Sequence, residues 1–413
     1  MRFRAASFVL ILSVAFAVGA CAVGSSPGAS TSGSSSPSPT ASVTPSSAVT
    51  IAPSTPTGWL PVPAQDSVVG TTFNDVIWAH GRFVATGSIP DGGGLILESQ
   101  DGQTWRQQPL AAPGAAPVTL AAGPAGIVAV GGQNADHLAS WFSTNGVSWT
   151  ARVDAFGPLS GTDTLTVTGV AATDGGWLAV GREDPACNHN CGLNPARARV
   201  WRSTNGLDWA SVGGGTVLAG GAMNDVVSLG TGFVAVGIHG ARAAVWTSAD
   251  GSSWTPSPDA AVLGPRPGAD PALWTAMTSV AASHGVLVAV GTDGNGGAHG
   301  PTARAWWSTD GVSWSEATGE RFEGFMSGQD ATVTGTRDGF IAAYPVSDPS
   351  CSSGLWASTD GATWRCASSD GAFARFAPSD VAESPTTQVA VGITTTDLVL
   401  DGPPGAVWWR PLP

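Results

Sequence analysis

Short apolar runs, most of them closed by glycine, recur along the chain. They read Phe83-Val-Ala-Thr-Gly87, Ile127-Val-Ala-Val-Gly131, Trp177-Leu-Ala-Val-Gly181, Phe233-Val-Ala-Val-Gly237, Leu287-Val-Ala-Val-Gly291 and Gln388-Val-Ala-Val-Gly392. In a seventh copy, Phe340-Ile-Ala-Ala-Tyr344, tyrosine stands where the others have glycine. The runs are too short for helices and apolar at odd and even positions alike, which predicts strands buried on both faces. A turn such as His80-Gly81, Gly175-Gly176 or Asp338-Gly339 usually precedes them. Before that turn lies a further strand, as in Asn74-Asp-Val-Ile-Trp78.

Downstream of each of the first six runs comes a polar motif, S-x-[DN]-G-x-[STD]-W. It spans Ser99 to Trp105, Ser143 to Trp149, Ser203 to Trp209, Ser248 to Trp254, Ser308 to Trp314 and Ser358 to Trp364. Its Asp or Asn suits an Asx-turn, its Gly supplies positive φ for a tight hairpin, and its Ser adds a side-chain bond to backbone. Trp then opens the next strand with a large apolar surface. Two residues before each Ser stands Leu97, Trp141, Trp201, Trp246, Trp306 or Trp356. Each repeat therefore predicts four antiparallel strands in about 45–60 residues, the content of one propeller blade.

The apolar run occurs seven times and the hairpin motif six. The last copy ends at Val407-Trp408-Trp409-Arg410 without a fourth strand. Thr57-Gly58-Trp59-Leu60-Pro61 matches Gln103-Thr104-Trp105-Arg106-Gln107 by its Trp, so the amino-terminal strand is expected to complete the last blade. The expectation is an all-β, seven-bladed propeller over 57–413, built of four-stranded antiparallel blades and closed by its N-terminal strand. Closure removes the exposed sheet edges of an open array.

Composition agrees. Of 413 residues, 56 are Gly, 30 Pro and 18 Trp, only 11% are charged, and Lys is absent. The net charge of −13 excludes a generic nucleic-acid binder, which needs cations to displace phosphate counterions. Residues 1–20 have two Arg followed by an apolar run too short to span a bilayer, the form of a signal peptide. The run ends in Val18-Gly19-Ala20-Cys21, which resembles the bacterial lipobox and makes Cys21 the expected lipidation site. The expected location is the extracytoplasmic face of the cell membrane, held by that lipid alone. Residues 21–56 are Ser-, Thr- and Pro-rich and read as a disordered tether, having too little apolar surface to offset ordering entropy. The other four cysteines suggest two local disulfides, Cys187–Cys191 and Cys351–Cys366. A metal site using His189 within Cys187-Asn-His-Asn-Cys191 is the alternative, though no fourth ligand is obvious nearby.

The recurring motif resembles the Asp-box, or BNR repeat, of sialidase-superfamily propellers, with one residue fewer between Asp and Gly. The resemblance covers residues 57–413. It implies that the boxes are structural and lie on the rim away from an active face. A retaining sialidase of that superfamily uses a Tyr nucleophile, Glu and Asp partners and three Arg. Here Tyr344 is the single Tyr, Ser88-Ile89-Pro90 replaces the expected Arg-Ile-Pro, and Arg182, Arg197, Arg304 and Arg337 form no recognisable set. No paired-acid, P-loop, G-x-S-x-G or H-E-x-x-H motif is present.

Propeller topology sends the long inserts, with His189 and His299, to one face, where binding is expected. Asp75, Thr119, Gly169, Asp225, Ser279, Thr332 and Asp380 occupy matching positions in the innermost strands and should form one layer beside the channel. Asp75, Asp225 and Asp380 are candidates for a cation or polar ligand at the loop-side mouth. Ca²⁺ is the cation whose taste for oxygen ligands fits. Alternatively their carboxylates accept backbone N–H bonds where the strands begin. The expected function is a non-catalytic, monomeric binding or scaffold module for a protein or glycan ligand on the loop face. A degenerate glycoside hydrolase is the alternative.

Overall fold

A computed structural model of the chain describes residues 58–412 except 69, 90–92, 113, 133–137, 158–163, 185–195, 213–217, 259, 267–273, 295–301, 320–330, 345–350, 352, 369–375 and 395–404. The signal peptide, Cys21, the tether, Cys187, Cys191, His189 and His299 lie outside the described residues.

The strands form seven antiparallel sheets in a ring, an all-β seven-bladed propeller. The innermost strands are Thr72–Ala79, Ala116–Gly123, Thr164–Thr173, Gly221–Ser228, Trp274–Ser283, Thr332–Thr336 and Phe376–Glu383, in blades one to seven. Leu60 pairs with Trp409 and Pro61 with Trp408, so the amino-terminal strand completes blade seven. One departure lies in blade six. There Thr318–Gly319 pairs in parallel with Thr363–Trp364 and adds a fifth strand at the outer edge.

The boxes perform their expected turn chemistry. Ser99 Oγ accepts the Gly102 N–H at 2.9 Å, and Asp101 Oδ1 accepts those of Gln103 and Thr104, both at 2.8 Å. Gly102 has φ +75°, which glycine adopts without strain. The N–H groups of Ser313 and Val312 likewise hold the Asp310 carboxyl down at about 2. Each box also packs on its neighbour: a Cβ on Gly206 would meet Val128 of the preceding blade at 2.6 Å. Leu97, Trp141, Trp201, Trp246, Trp306 and Trp356 are all 1% exposed or less, and they fill the space between blades.

A feature absent from the sequence reading explains the recurring glycine. Six innermost strands carry a β-bulge, immediately before Asp75, Thr119, Gly169, Asp225, Ser279 and Asp380. Each bulge drives backbone toward the second strand, so a Cβ on Gly181 would sit 2.0 Å from Thr166 O and one on Gly237 2.0 Å from Ala222 O. Only glycine leaves room for such an approach. In blade six the described pairing begins at Thr332, opposite Ala343, and Tyr344 stands where the other blades have glycine.

The Cys351–Cys366 disulfide is formed and ties Cys351, between the second and third strands of blade six, to the fourth strand.

Candidate functional site

The innermost strands of all seven blades line a central cavity of about 870 Å³. Its wall carries Asp75, Asp225 and Asp380, with Arg182 among the lining residues. The layer of matching positions exists, but it lies within the length of the strands. Asp225 Oδ1 accepts the N–H of Val226 on its own strand at 2.7 Å. Asp75, Asp225, Ser279, Thr332 and Asp380 also reach the next blade.

The bulge creates the grip by presenting two consecutive side chains to the neighbour. Asn74 Nδ2 donates to Pro117 O at 3.0 Å, while Asp75 Oδ2 accepts the Leu120 N–H at 2.7 Å. Asn224 and Asp225 repeat this in blade four, donating to Met277 O at 2.8 Å and accepting the Val280 N–H at 2.9 Å. Thr278 and Ser279 do so in blade five, on Ala331 O at 2.7 Å and the Val333 N–H at 3.3 Å. Asp380 Oδ2 accepts the Val76 N–H at 3.0 Å and so joins blade seven to blade one. Gly169 has no side chain, but Thr168 beside it donates to Met223 O at 2.7 Å. The sequence signal was the recurring Asn-Asp pair, whose meaning depends on the bulge.

Asp75 and Asp225 are half-buried and face the channel lumen. Burial, the Asp380 charge and a hydrogen bond with the Asp380 carboxyl push Asp75 well above the usual carboxylate range. Burial also raises Asp380, against the N–H of Val76 and the hydrogen bond from Asp75. Asp225 is pushed up to about 6 by burial, opposed by donors from Val280, Val226 and Ser279, with the Asp75 charge adding to the rise.

The carboxylate oxygens accept backbone N–H and hydroxyl donors. Among the described residues no group of three or more His, Cys, Asp or Glu is arranged to hold a metal ion.

Of the sialidase-like candidates, Tyr344 and Arg304 touch, and Arg182, Arg197 and Arg337 lie on other blades. Tyr344 is fully buried, donates its hydroxyl to Arg304 O at 2.7 Å, and is raised far above its ordinary pKa by that burial. Arg304 is 1% exposed in blade five, Arg337 pairs with Glu383 at 3.2 Å, and Arg197 lies exposed on blade three. Arg182 lines the channel and pairs with Asp184 at 2.9 Å.

No family model matches the chain. No curated protein matches it either. Among solved structures it is similar to a glycoside hydrolase, at 10% identity and TM-score 0.40 over 86% of this chain and 90% of that one. It is similar to the endosialidase of phage phi92 at 11% identity and TM-score 0.44, over 86% and 69%. It is also similar to a mutant Trypanosoma rangeli sialidase displaying trans-sialidase activity, at 14% identity and TM-score 0.43, over 68% of this chain and 52% of that one. The chain thus spans about half the length of that last protein. No residue role is carried over from these likenesses.

Proposed function

We propose that the chain is a lipid-anchored, extracytoplasmic propeller that binds a glycan or protein ligand on its loop face and performs no chemistry on it. One observation carries this reading: the channel carboxyls are committed to joining blades. A glycosidase needs two carboxyls flanking the scissile bond, about 5 Å apart for retention and about 6.5 Å or more for inversion. Asp75 and Asp380 instead accept backbone N–H groups of the next blade, from Leu120 and Val76. The rigid ring then serves as a platform for the inserts, which is where ligands bind on such scaffolds.

The test is to present the full chain carrying Cys21→Ser to arrays of glycans and of extracellular proteins, alongside chromogenic glycosides. Saturable binding without turnover is expected. Turnover that disappears in Asp225→Asn would establish the hydrolase alternative instead. The same substitution at Cys21 tests the anchor. In cells, Cys21→Ser is expected to move the protein from the membrane fraction to the soluble one, or to accumulate the precursor. A processed variant retained on membranes as fully as wild type would refute lipidation there.

A further inference from the structure

Trp274 opens the innermost strand of blade five, Trp274–Ser283. Of the chain's 18 tryptophans, every other one belongs to, or packs against, a hydrophobic cluster of the blades. Among the described residues Trp274 does neither, and it is half-buried. Counted back from the bulge position, the matching residues of blades one to four are Gly70, Gly114, Thr164 and Gly220, so the fold does not require an indole there. We propose that Trp274 is the platform of a glycan subsite on the loop face, on which one neutral pyranose ring stacks. This rests on the reading that the loop face binds a glycan or protein ligand, and it selects the glycan.

The indole has a raised and rigid seat. In blade five the first two strands begin pairing at Trp274 and Gly294, five residues before Ser279. In blades one and two they begin at Thr72 and Ala116, three residues before Asp75 and Thr119. The blade five strand therefore reaches about two residues, or roughly 7 Å, further toward the loop face. A Cβ on Gly294 would overlap Trp274 Cε2, Nε1 and Cδ2. Cε2 and Cδ2 form the ring fusion, so the glycine Cα faces the flat of the indole and not its edge. The neighbouring residues hold the strand pair in place. Thr275 Oγ1 donates to Asp293 Oδ1 at 2.7 Å, Arg304 Nη1 donates to the same oxygen at 3.0 Å, and the Thr275 N–H donates to Ala241 O of blade four at 3.1 Å. Side chains alternate along a strand, so this buried network grips one face and leaves the other to Trp274.

The chemistry of this seat suits a sugar. A pyranose presents a face of slightly positive C–H groups, which packs flat against the negative face of an aromatic ring. Its hydroxyls lie at its edge, and Trp274 Nε1, which meets no acceptor among the described residues, is free to donate to one of them. A protein partner would ask for more. An aromatic anchor in a protein interface sits in a close-packed surround that excludes water. Among the described residues the exposed large hydrophobics are Ile89, Val118, Val153, Leu229 and Val312. They lie on blades one, two and four and in the box of blade five, on the face opposite the loops, so none extends the apolar surface of Trp274. The net charge of −13 repels polyanionic glycans and leaves neutral ones.

The test uses the full chain carrying Cys21→Ser, with 5-fluorotryptophan in place of tryptophan, titrated with neutral oligosaccharides of glucose, mannose and galactose. Trp274→Phe assigns the fluorine signal of Trp274 by its disappearance. That signal is expected to shift to saturation while those of the buried indoles stay in place. Trp274→Ala should weaken binding by about tenfold or more. Gly294→Val, which keeps the indole but displaces it from its seat, should do the same. The melting temperature of Trp274→Ala should stay within about 3 °C of wild type, because the residue belongs to no core cluster. If that variant does not fold, the wild-type fluorine titration decides.

Saccharide binding that leaves the Trp274 signal unmoved, or that Trp274→Ala retains at full strength, would overturn the platform and leave the loop-face reading standing. Binding to proteins alone on the arrays would do likewise. Absence of binding to saccharides and proteins alike would overturn both. A Trp274→Ala variant that folds but melts roughly 10 °C below wild type would overturn the platform too, by showing that the indole supports the fold.

Discussion

Deleting residues 22–50 is expected to leave the melting temperature unchanged, whereas deleting 22–61 is expected to lower it by roughly 10 °C or more. The first segment has almost no large apolar group to pack. The second deletion also removes the outer strand of blade seven. Trp59 is 3% exposed and packs with Leu355, Phe376 and Trp408, and the Arg410 guanidinium lies 4.9 Å from its ring centroid. Leu60 and Pro61 pair with Trp409 and Trp408, and the Val62 N–H donates to Val407 O at 2.8 Å. Losing the buried indole alone costs about 3–5 kcal/mol, and the uncovered edge of Gly405–Pro411 adds to it. Trp59→Ala in the full chain separates the two contributions and should account for about half the loss. Equal melting of the two deletions would show that the ring does not depend on its amino-terminal strand.

That closure was legible because it rests on counting: seven apolar runs, six boxes, and a lone Trp strand at the start. The boxes were legible because their chemistry is local. Ser99, Asp101, Gly102 and Trp105 satisfy one another within seven residues, so type and spacing suffice. The channel layer was half legible. Matching positions picked out Asp75, Asp225 and Asp380, but the direction of their side chains depends on bulges, and a bulge leaves no period in the sequence. The glycine of the apolar run had the same hidden cause. Arg304 stood in the sequence as one of four arginines without a pattern. Its partners lie up to 42 residues away along the chain, beyond the reach of local spacing.

Replacing Arg304 by Met is expected to destabilise the propeller by about 3–5 kcal/mol, because it removes the cation from a buried network and strands Asp293. Arg304 uses all five of its donors. Nε and Nη2 reach the Glu316 carboxylate at 3.2 and 2.8 Å, Nη1 reaches Asp293 Oδ1 at 3.0 Å and Gly264 O at 2.7 Å, and Nη2 also reaches Val262 O at 3.0 Å. The guanidinium also lies 4.7 Å from the Trp306 ring centroid, and Trp306 Nε1 donates to the same Val262 O at 2.9 Å. One side chain thereby staples the connection from blade four onto blade five, close to the loop face. Arg266 pairs with Glu316 at 3.1 Å but is 45% exposed and reaches Asp293 only at 3.7 Å, so it does not replace Arg304 there. Asp293, 7% exposed, would keep the Thr275 hydroxyl at 2.7 Å as its remaining close donor. Lysine should fare little better than Met, since a single ammonium cannot reproduce the planar fork. Urea denaturation of Arg304→Met, Asp293→Leu and the double variant distinguishes a stranded charge from lost packing. If the charge dominates, the double variant recovers much of the loss of Arg304→Met. Additive losses would instead make the network a matter of packing, and an Arg304→Met variant within about 1 kcal/mol of wild type would show that its five hydrogen bonds contribute little.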